Sequence, residues 1–504
     1  MWRHVRGTAV RLGRRSPGPA NTDPSGPDRP WGACAAPSIQ MQFAPDGEVS
    51  VCCQSLERLG NVRDHRLADL WGGDRRLEIV RRLERDDYSL GCEACGAEVE
   101  LEGRTGSFPE QFDAWAGHLH RAGGGGWPTR LDFMLSNSCN LQCIQCSGDF
   151  SSSIRIHREH RPPLEPAYGD EFFEDVEPFL AHLDHASFEG GEPFLASENF
   201  RMWELIARVR PDLPCTVCTN ATTWNQRVER AISSVRMHFI FSLDGITPST
   251  FESIRIGADL GEVLANIDRF TEHARRVGTD VSINHCLMPQ NVGEFPELLR
   301  YAEQRGIFVN VSVVRGPVHC SIARLPAEEI TAVHRALLTR DDEMTGQLRL
   351  NRRTWDRELA RIGAWAAAGA GGGASVWEQT GRTVLMFRCA GSGPHDEQAA
   401  ERELALLSSG GDVARVVVGR DDLIRSASPR IEALAGVSPG GLTGAPVQVL
   451  QQALSRFEEL DTGPDRVDAV ATFGAEQFRI AIVALRDEHG WAEDAVLLFA
   501  PVSD

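Results

Sequence analysis

At 504 residues the chain is too long for one ordinary hydrophobic core, so two to four domains are expected. Its 42% hydrophobic and 24% charged residues are those of a soluble globular protein, and no run approaches the roughly eighteen apolar residues of a membrane span. With 71 acidic against 52 basic side chains the net charge is −19, which repels nucleic-acid backbones, and the absence of any lysine excludes Schiff-base chemistry, pyridoxal anchoring and a Walker A loop.

In chain order, residues 1–30 are rich in Arg, Pro and Gly and read as a disordered tail. Arg14-Arg15 is followed by "SPGPANTDPSG", the reverse of the apolar stretch that a twin-arginine export signal needs, so a cytoplasmic location is expected. The 13 cysteines of such a chain point to metal or redox work rather than disulfides. Eight of them, Cys34, Cys52, Cys53, Cys92, Cys95, Cys139, Cys143 and Cys146, fall in the first third. Residues 31–103 form a Cys-rich module with a short strand pattern at Ile39–Phe43 and a turn at "PDGE".

From about Gly126 to Gly316, short apolar runs alternate with amphipathic ones. The expected strands are "RLDFML", "HASFEG", "CTVCTN", "HFIFSLD", "DVSINHCLM" and "FVNVSVV". Between them, Val263, Leu264, Ile267, Phe270 and Ala274 follow the spacing of one buried helix face. "NVGEFPELLRYAEQRG" opens on Asn291 as a plausible N-cap, with Glu294 three places on, and ends near Gly306. Such repetition implies parallel pairing with right-handed crossovers, here an open α/β barrel of six units. Functional residues then belong in loops at the C-terminal strand ends.

Residues 317–395 read as a helical and linker region, with the low-complexity run "AWAAAGAGGGAS" at 364–375. The last segment, 396–504, begins with the helical pattern "DEQAAERELALL". It continues with "VARVVVGRDDLIRSAS", "FRIAIVAL" and "DAVLLFAPV", expected as antiparallel strands around short helices.

The densest chemistry lies in "CNLQCIQC", directly after the first barrel strand. Three thiolates on one short loop hold three corners of a cubane iron–sulfur cluster, which normally takes four, and so leave one iron open. A zinc site would want a fourth ligand nearby, for which His157 is available. The spacing of Cys139, Cys143 and Cys146, three residues and then two between them, resembles that of the radical S-adenosylmethionine (SAM) superfamily. The resemblance implies that these cysteines ligate a [4Fe-4S] cluster whose open iron is chelated by SAM. It further implies reductive cleavage of SAM to a 5′-deoxyadenosyl radical that abstracts hydrogen from a substrate, with an electron donor such as ferredoxin or flavodoxin. Ile144 stands where the family usually has an aromatic residue.

Three further stretches carry the resemblance in the same order. In "FEGGEPFL", Gly190 and Gly191 allow close backbone approach and Glu192 offers a carboxylate; in the family this loop holds the amino group of SAM. "TNATTWN" resembles the family's Thr-Asn-Gly, with Ala221 in place of Gly after Asn220. In "FSLDGITPSTFESIRIGADL", the resemblance implies that Ser242 and Arg255, with Asp244 in the same loop, bind the carboxylate and ribose of SAM. "CLMPQN" resembles the fifth-strand loop, which places Met288 and Asn291 at the adenosine, with a helix cap as the alternative for Asn291. Cys215, Cys218 and Cys286 read as buried strand residues, while Cys320 and Cys389 have no assigned place.

The N-terminal module, "CAAPSIQMQFAPDGEVSVCC" followed later by "GCEACG", resembles the SPASM and twitch domains. The resemblance implies an auxiliary [4Fe-4S] cluster on Cys34, Cys52, Cys92 and Cys95, with Cys53 the competitor for Cys52 and a structural zinc the alternative. The module precedes the barrel here, whereas in the family it follows. "VGRDDLIRSASPRIEALAGVSPGGLTGAP" resembles a PAS domain, which implies ligand sensing or dimerisation.

The expected architecture is therefore a partial (β/α)₆ barrel preceded by a small auxiliary-cluster domain and followed by an α+β PAS-like domain. The expected function is radical SAM chemistry on a peptide or protein side chain. Small-molecule chemistry, or a non-catalytic iron–sulfur and PAS redox regulator, are the alternatives. No nucleic-acid or membrane partner is expected.

Overall fold

The computed structural model describes residues 32–367, apart from 103, 105–106, 117–125 and 315–316, together with six strands between residues 414 and 501. The first three strands are β1 (Gln40–Phe43), β2 (Glu48–Ser50) and β3 (Gly60–Asn61). The six expected barrel strands follow as β4 (Arg130–Phe133), β5 (His185–Phe188), β6 (Cys215–Thr219), β7 (Met237–Ser242), β8 (Val281–Leu287) and β9 (Phe308–Val313). All pair in parallel and in sequence order, from Arg130↔His185 at one side to Leu287↔Val313 at the other.

Each crossover carries a helix, because the segments between strands place apolar residues every three to four positions. The β7–β8 crossover carries the longest helix, Leu260–Val277. Asp259 caps its start by accepting from Glu262 N, and Gly278 ends it at φ +71°, a left-handed conformation that glycine adopts without cost. It buries Val263, Ile267, Phe270 and Ala274 as expected, and leaves Leu264 half-buried.

The helix-covered face of the sheet is aromatic. Phe133 stacks on Phe188 at 5.2 Å, and Phe270 packs on Phe239 at 4.9 Å. Strand alternation puts polar residues on the other face, which lines the barrel interior. There Arg130 donates to Ser187 Oγ at 3.2 Å, and Ser312 donates to Asn284 Oδ1 at 2.9 Å. This polar lining underlies the site.

The Cys-rich module was expected as a separate small domain, yet its strands belong to the barrel sheet. The strand order is β3-β2-β1-β4-β5-β6-β7-β8-β9, with β1 parallel to β4 in the register Gln40↔Arg130 to Phe43↔Phe133. An open barrel leaves the edge of its first strand with unpaired backbone groups, and β1 satisfies them. Phe43 extends the aromatic stack by lying 5.4 Å from Phe133. The turn "PDGE" joins β1 to β2, with Gly47 at φ +91° donating to Ala44 O.

A second sheet comprises β10 (Ala414–Gly419), β11 (Ile424–Ala427), β12 (Arg456–Thr462), β13 (Arg466–Phe473), β14 (Glu476–Arg486) and β15 (Ala492–Pro501). Its order is β11-β10-β15-β14-β13-β12, antiparallel throughout. The helical pattern "DEQAAERELALL", Cys389 and the stretch from "SPRIEALAG" to "LTGAP" lie outside the described residues. Among the described residues no helix is long and apolar enough to cross a membrane.

Candidate active site

The chain leaves β4 at Phe133 and turns through Ser136–Ser138 into the cysteine loop. This loop is tied down from three sides. Gln142 N and Ile144 N donate to Ile256 O and Ile254 O, at 2.9 and 3.0 Å. Ser151 Oγ donates to Leu141 O at 2.7 Å, and Cys139 N donates to Ser152 Oγ at 3.1 Å. Arg158 donates to the carbonyls of both Cys143 and Cys146. Ile144 packs into an apolar cluster of Ile254, Cys286, Met288, Val314 and Cys320, so an aliphatic residue fills the place of the usual aromatic.

Cys139, Cys143 and Cys146 line a single cleft, which encloses about 450 Å³ of non-atom space, open solvent included. Gly190, Gly191, Asn220, Ser242 and Arg255 share its walls, at the C-terminal ends of β5, β6 and β7 or in the segments that follow them. Burial pushes the thiols of Cys139 and Cys143 up to about 12, against the pull of the Leu141 N–H on the first and of Arg255 on the second. A bound cation that takes thiolates overcomes that penalty, so a cluster and these residues fit. Among the described residues no three His, Cys, Asp or Glu side chains converge on one ion. In a cubane each thiolate binds a different iron, and such convergence is not required.

The glycine pair serves the cysteine loop directly. Gly191 N donates to Ser136 O at 3.1 Å, and a Cβ on Gly191 would stand 2.3 Å from Ser138 O. Gly190 adopts φ +108°. The Gly-Gly turn thus presses backbone on backbone beside Cys139, a packing role beyond the ligand approach expected of it.

Four sequence-assigned residues, Glu192, Asp244, Met288 and Asn291, are placed differently from expectation. Glu192, expected to offer its carboxylate to SAM, is 1% exposed and does not line the cleft. Its Oε1 accepts from Thr219 Oγ1 and Phe194 N, and its Oε2 accepts from Asn220 N at 2.7 Å. These bonds join the loops after β5 and β6 and consume the carboxylate. Burial pushes it up to about 7, with the bonds from Asn220, Phe194 and Thr219 pulling back. Asp244 is fully buried behind the cleft, where its Oδ2 lies 2.7 Å from Arg255 Nη2 and accepts from Gln145 at 2.8 Å. Its Oδ1 accepts from Cys286 N at 2.7 Å. Met288 is also fully buried, within the apolar cluster under Ile144, and does not line the cleft.

Asn291 neither caps a helix by its side chain nor faces the cleft. It donates to Asp244 O and Cys286 O and accepts from Met288 N, which closes the loop after β8. Asn220 lines the cleft and donates to Asn140 Oδ1 at 3.2 Å, with Cys139 Sγ at 4.0 Å. Ala221 holds φ +57°, the left-handed conformation for which relatives use glycine. Arg255 is 3% exposed and places Nη1 3.9 Å from Cys143 Sγ. Although burial lowers its pKa, Asp244 and the neighbouring thiols outweigh this and hold it above the usual range. Its Nε is buried without a partner, which suits an anionic ligand in the cleft.

Among the lining residues that escaped sequence reasoning, two carry chemistry at strand ends. Glu189, just before the glycine pair, and Cys218, whose thiol meets Ser242 Oγ at 3.8 Å, both face the cleft. The signal for Glu189 was an acidic residue directly after an apolar strand, masked by the Gly-Gly-Glu that follows.

In the N-terminal module, burial raises the cost of ionising Cys34, and the nearby Cys52 adds to it. Cys95 N donates to Cys92 O at 2.9 Å at the start of the helix Glu93–Glu102. His157, the possible zinc ligand, is exposed and does not line the cleft.

Residues 133–302 match the family model described as the radical SAM superfamily, and residues 34–96 match SPASM, described as an iron–sulfur cluster-binding domain. No curated protein matches the chain. Solved structures similar to it include anSMEcpe with bound AdoMet, 18% identical, covering 43% of this chain and 62% of that one at a TM-score of 0.32. Streptococcus suis SuiB bound to precursor peptide SuiA is 16% identical, covering 48% of this chain and 52% of that one at 0.34. The Aer2 receptor of Vibrio cholerae, a dual PAS-heme oxygen sensor, is 13% identical and covers 18% of this chain and 95% of that one at 0.15. The chain thus spans about three fifths of the anSMEcpe structure, and at these TM-scores the likenesses bear on neither substrate nor mechanism. The two family matches coincide with the cysteine loop's barrel and with the strands that extend it: this chain carries a radical SAM domain preceded by a SPASM iron–sulfur domain.

Proposed function

We propose that this chain is a radical SAM enzyme that abstracts hydrogen from a peptide or protein side chain. The carrying observation is that three thiols in the superfamily spacing line one cleft with the Gly190-Gly191 turn, Ser242 and Arg255. When bound there, a [4Fe-4S] cluster and SAM supply one-electron reduction and a 5′-deoxyadenosyl radical.

The chain's own residues do the rest. Cys139, Cys143 and Cys146 hold the cluster, and Arg255, fixed by Asp244, offers its unpartnered Nε to the carboxylate of SAM. Ser242 and Asn220 supply polar contacts at adjacent strand ends. The Gly190-Gly191 backbone takes the amino group, while Glu192 holds the loops after β5 and β6 in register. The polar barrel lining receives the substrate. The SPASM match supports an auxiliary cluster on Cys34, Cys52, Cys92 and Cys95, and with it the peptide or protein substrate. An electron donor such as ferredoxin or flavodoxin completes the cycle, and the antiparallel C-terminal sheet serves a PAS-like sensing or pairing role.

Reduced, cluster-reconstituted protein kept free of oxygen is expected to convert SAM to 5′-deoxyadenosine, and Cys143→Ala to abolish it. Intact SAM in the wild-type reaction would contradict the reading.

A further inference from the structure

We propose that Glu189 selects the substrate, and that the group it takes is a protonated amine or guanidinium on the side chain entering the cleft. The inference rests on the radical SAM reading and deepens it.

Glu189 follows directly on β5 and lines the cleft together with the three thiols. Strand alternation sets it on the same face as Ser187, and Ser187 pairs across the sheet with Asp132. Among the described residues the Glu189 carboxylate has no hydrogen bond and no ion pair. The guanidinium nearest to hand, Arg130, is already engaged. Its Nη2 lies 3.2 Å from Asp132 Oδ1 and 3.2 Å from Ser187 Oγ. This wall of the barrel therefore holds two carboxylates against one guanidinium, and Glu189 is the carboxylate left over.

A largely buried carboxylate without a counter-charge is costly, and such groups persist where a ligand supplies the missing charge. Burial, reinforced by Asp132 and partly offset by Arg130, pushes Glu189 up to about 8. An entering cation reverses that penalty. An apolar side chain would seal the charge in with no return, and an anionic one would be repelled. Glu189 also acts electrostatically on Cys53 and on Cys218. It thus reaches electrostatically from the cleft wall toward Cys53 of the SPASM stretch.

SAM itself carries an ammonium group, so the test separates cofactor from substrate. The 504-residue protein, reconstituted with iron and sulfide and saturated with SAM, is titrated without oxygen against two neutral-backbone probes. These are N-acetyl-lysine methylamide and N-acetyl-norleucine methylamide, with binding read by saturation-transfer NMR. The lysine probe is expected to bind about 10-fold tighter or better, the factor that a single charge-assisted hydrogen bond supplies. Glu189→Gln should erase the preference, and Glu189→Asp, which keeps the charge, should retain most of it. Equal binding of the two probes by a preparation that still cleaves SAM overturns the proposal and leaves the radical SAM reading standing. A preparation that neither cleaves SAM nor prefers lysine removes both. Weakened SAM affinity in Glu189→Gln with the lysine preference intact makes Glu189 a cofactor contact and likewise overturns the proposal.

Discussion

Asp244 is fully buried and ties three separate segments together, taking bonds from Gln145 in the cysteine loop, from Arg255 and from Cys286 N in β8. Removing it leaves a guanidinium buried without its partner. Asp244→Ala should therefore cost about 3–5 kcal/mol in denaturant unfolding, the range for breaking a buried ion pair on one side. Gly191→Ala is a different kind of injury, since the added Cβ would meet Ser138 O at 2.3 Å. Overpacking of this sort costs about 1–3 kcal/mol, and because the strain falls beside Cys139 the variant should also retain less iron after reconstitution. The carboxyls of Glu189 and Glu192 make a pH prediction whose sign is fixed. Their folded pKa values, about 8 and about 7, lie above the ordinary 4.5. The folded chain then holds protons that the unfolded chain has shed, so their contribution falls as pH rises from 4.5 toward 8. Thermal unfolding of Glu189→Gln should show a weaker decline in melting temperature over that window than the wild type.

At the scale of elements, the six barrel strands were legible because short apolar runs bounded by turns and helical patterns leave little choice of period. The helix Leu260–Val277 was legible by its buried face and its closing glycine. Side-chain direction was not legible. Glu192 and Met288 are close in sequence to the cleft, but which way each points depends on loop closure, by Thr219 and Asn220 from the neighbouring strand end for Glu192 and by Asn291 within its own loop for Met288. The union of β1 with β4 was hidden for the same reason, as pairing across 90 residues leaves no local pattern. Ala221 was legible as a departure from glycine, and the structure shows the cost, a left-handed backbone at a fully packed position. Ala221→Gly should therefore be tolerated, changing stability by no more than about 1 kcal/mol, whereas a β-branched residue there should cost more.

On the scale of the whole molecule, the SPASM strands and the barrel share one continuous sheet, so the two cluster-bearing parts are expected to fold as one unit rather than as beads on a linker. If both sites bind cubanes, iron analysis should give about eight irons per chain, and Cys52→Ala should lower this by about four with the radical site spared. The central claim is narrower: the cluster on Cys139, Cys143 and Cys146 keeps one iron open for SAM. Pulsed electron–nuclear resonance on the reduced, oxygen-free protein with SAM labelled by ¹⁵N at the amino group tests this most directly. The account predicts a ¹⁵N coupling on the cluster signal that disappears in Cys143→Ala. A cluster signal unchanged by labelled SAM, with its fourth iron held by a protein side chain, would contradict it.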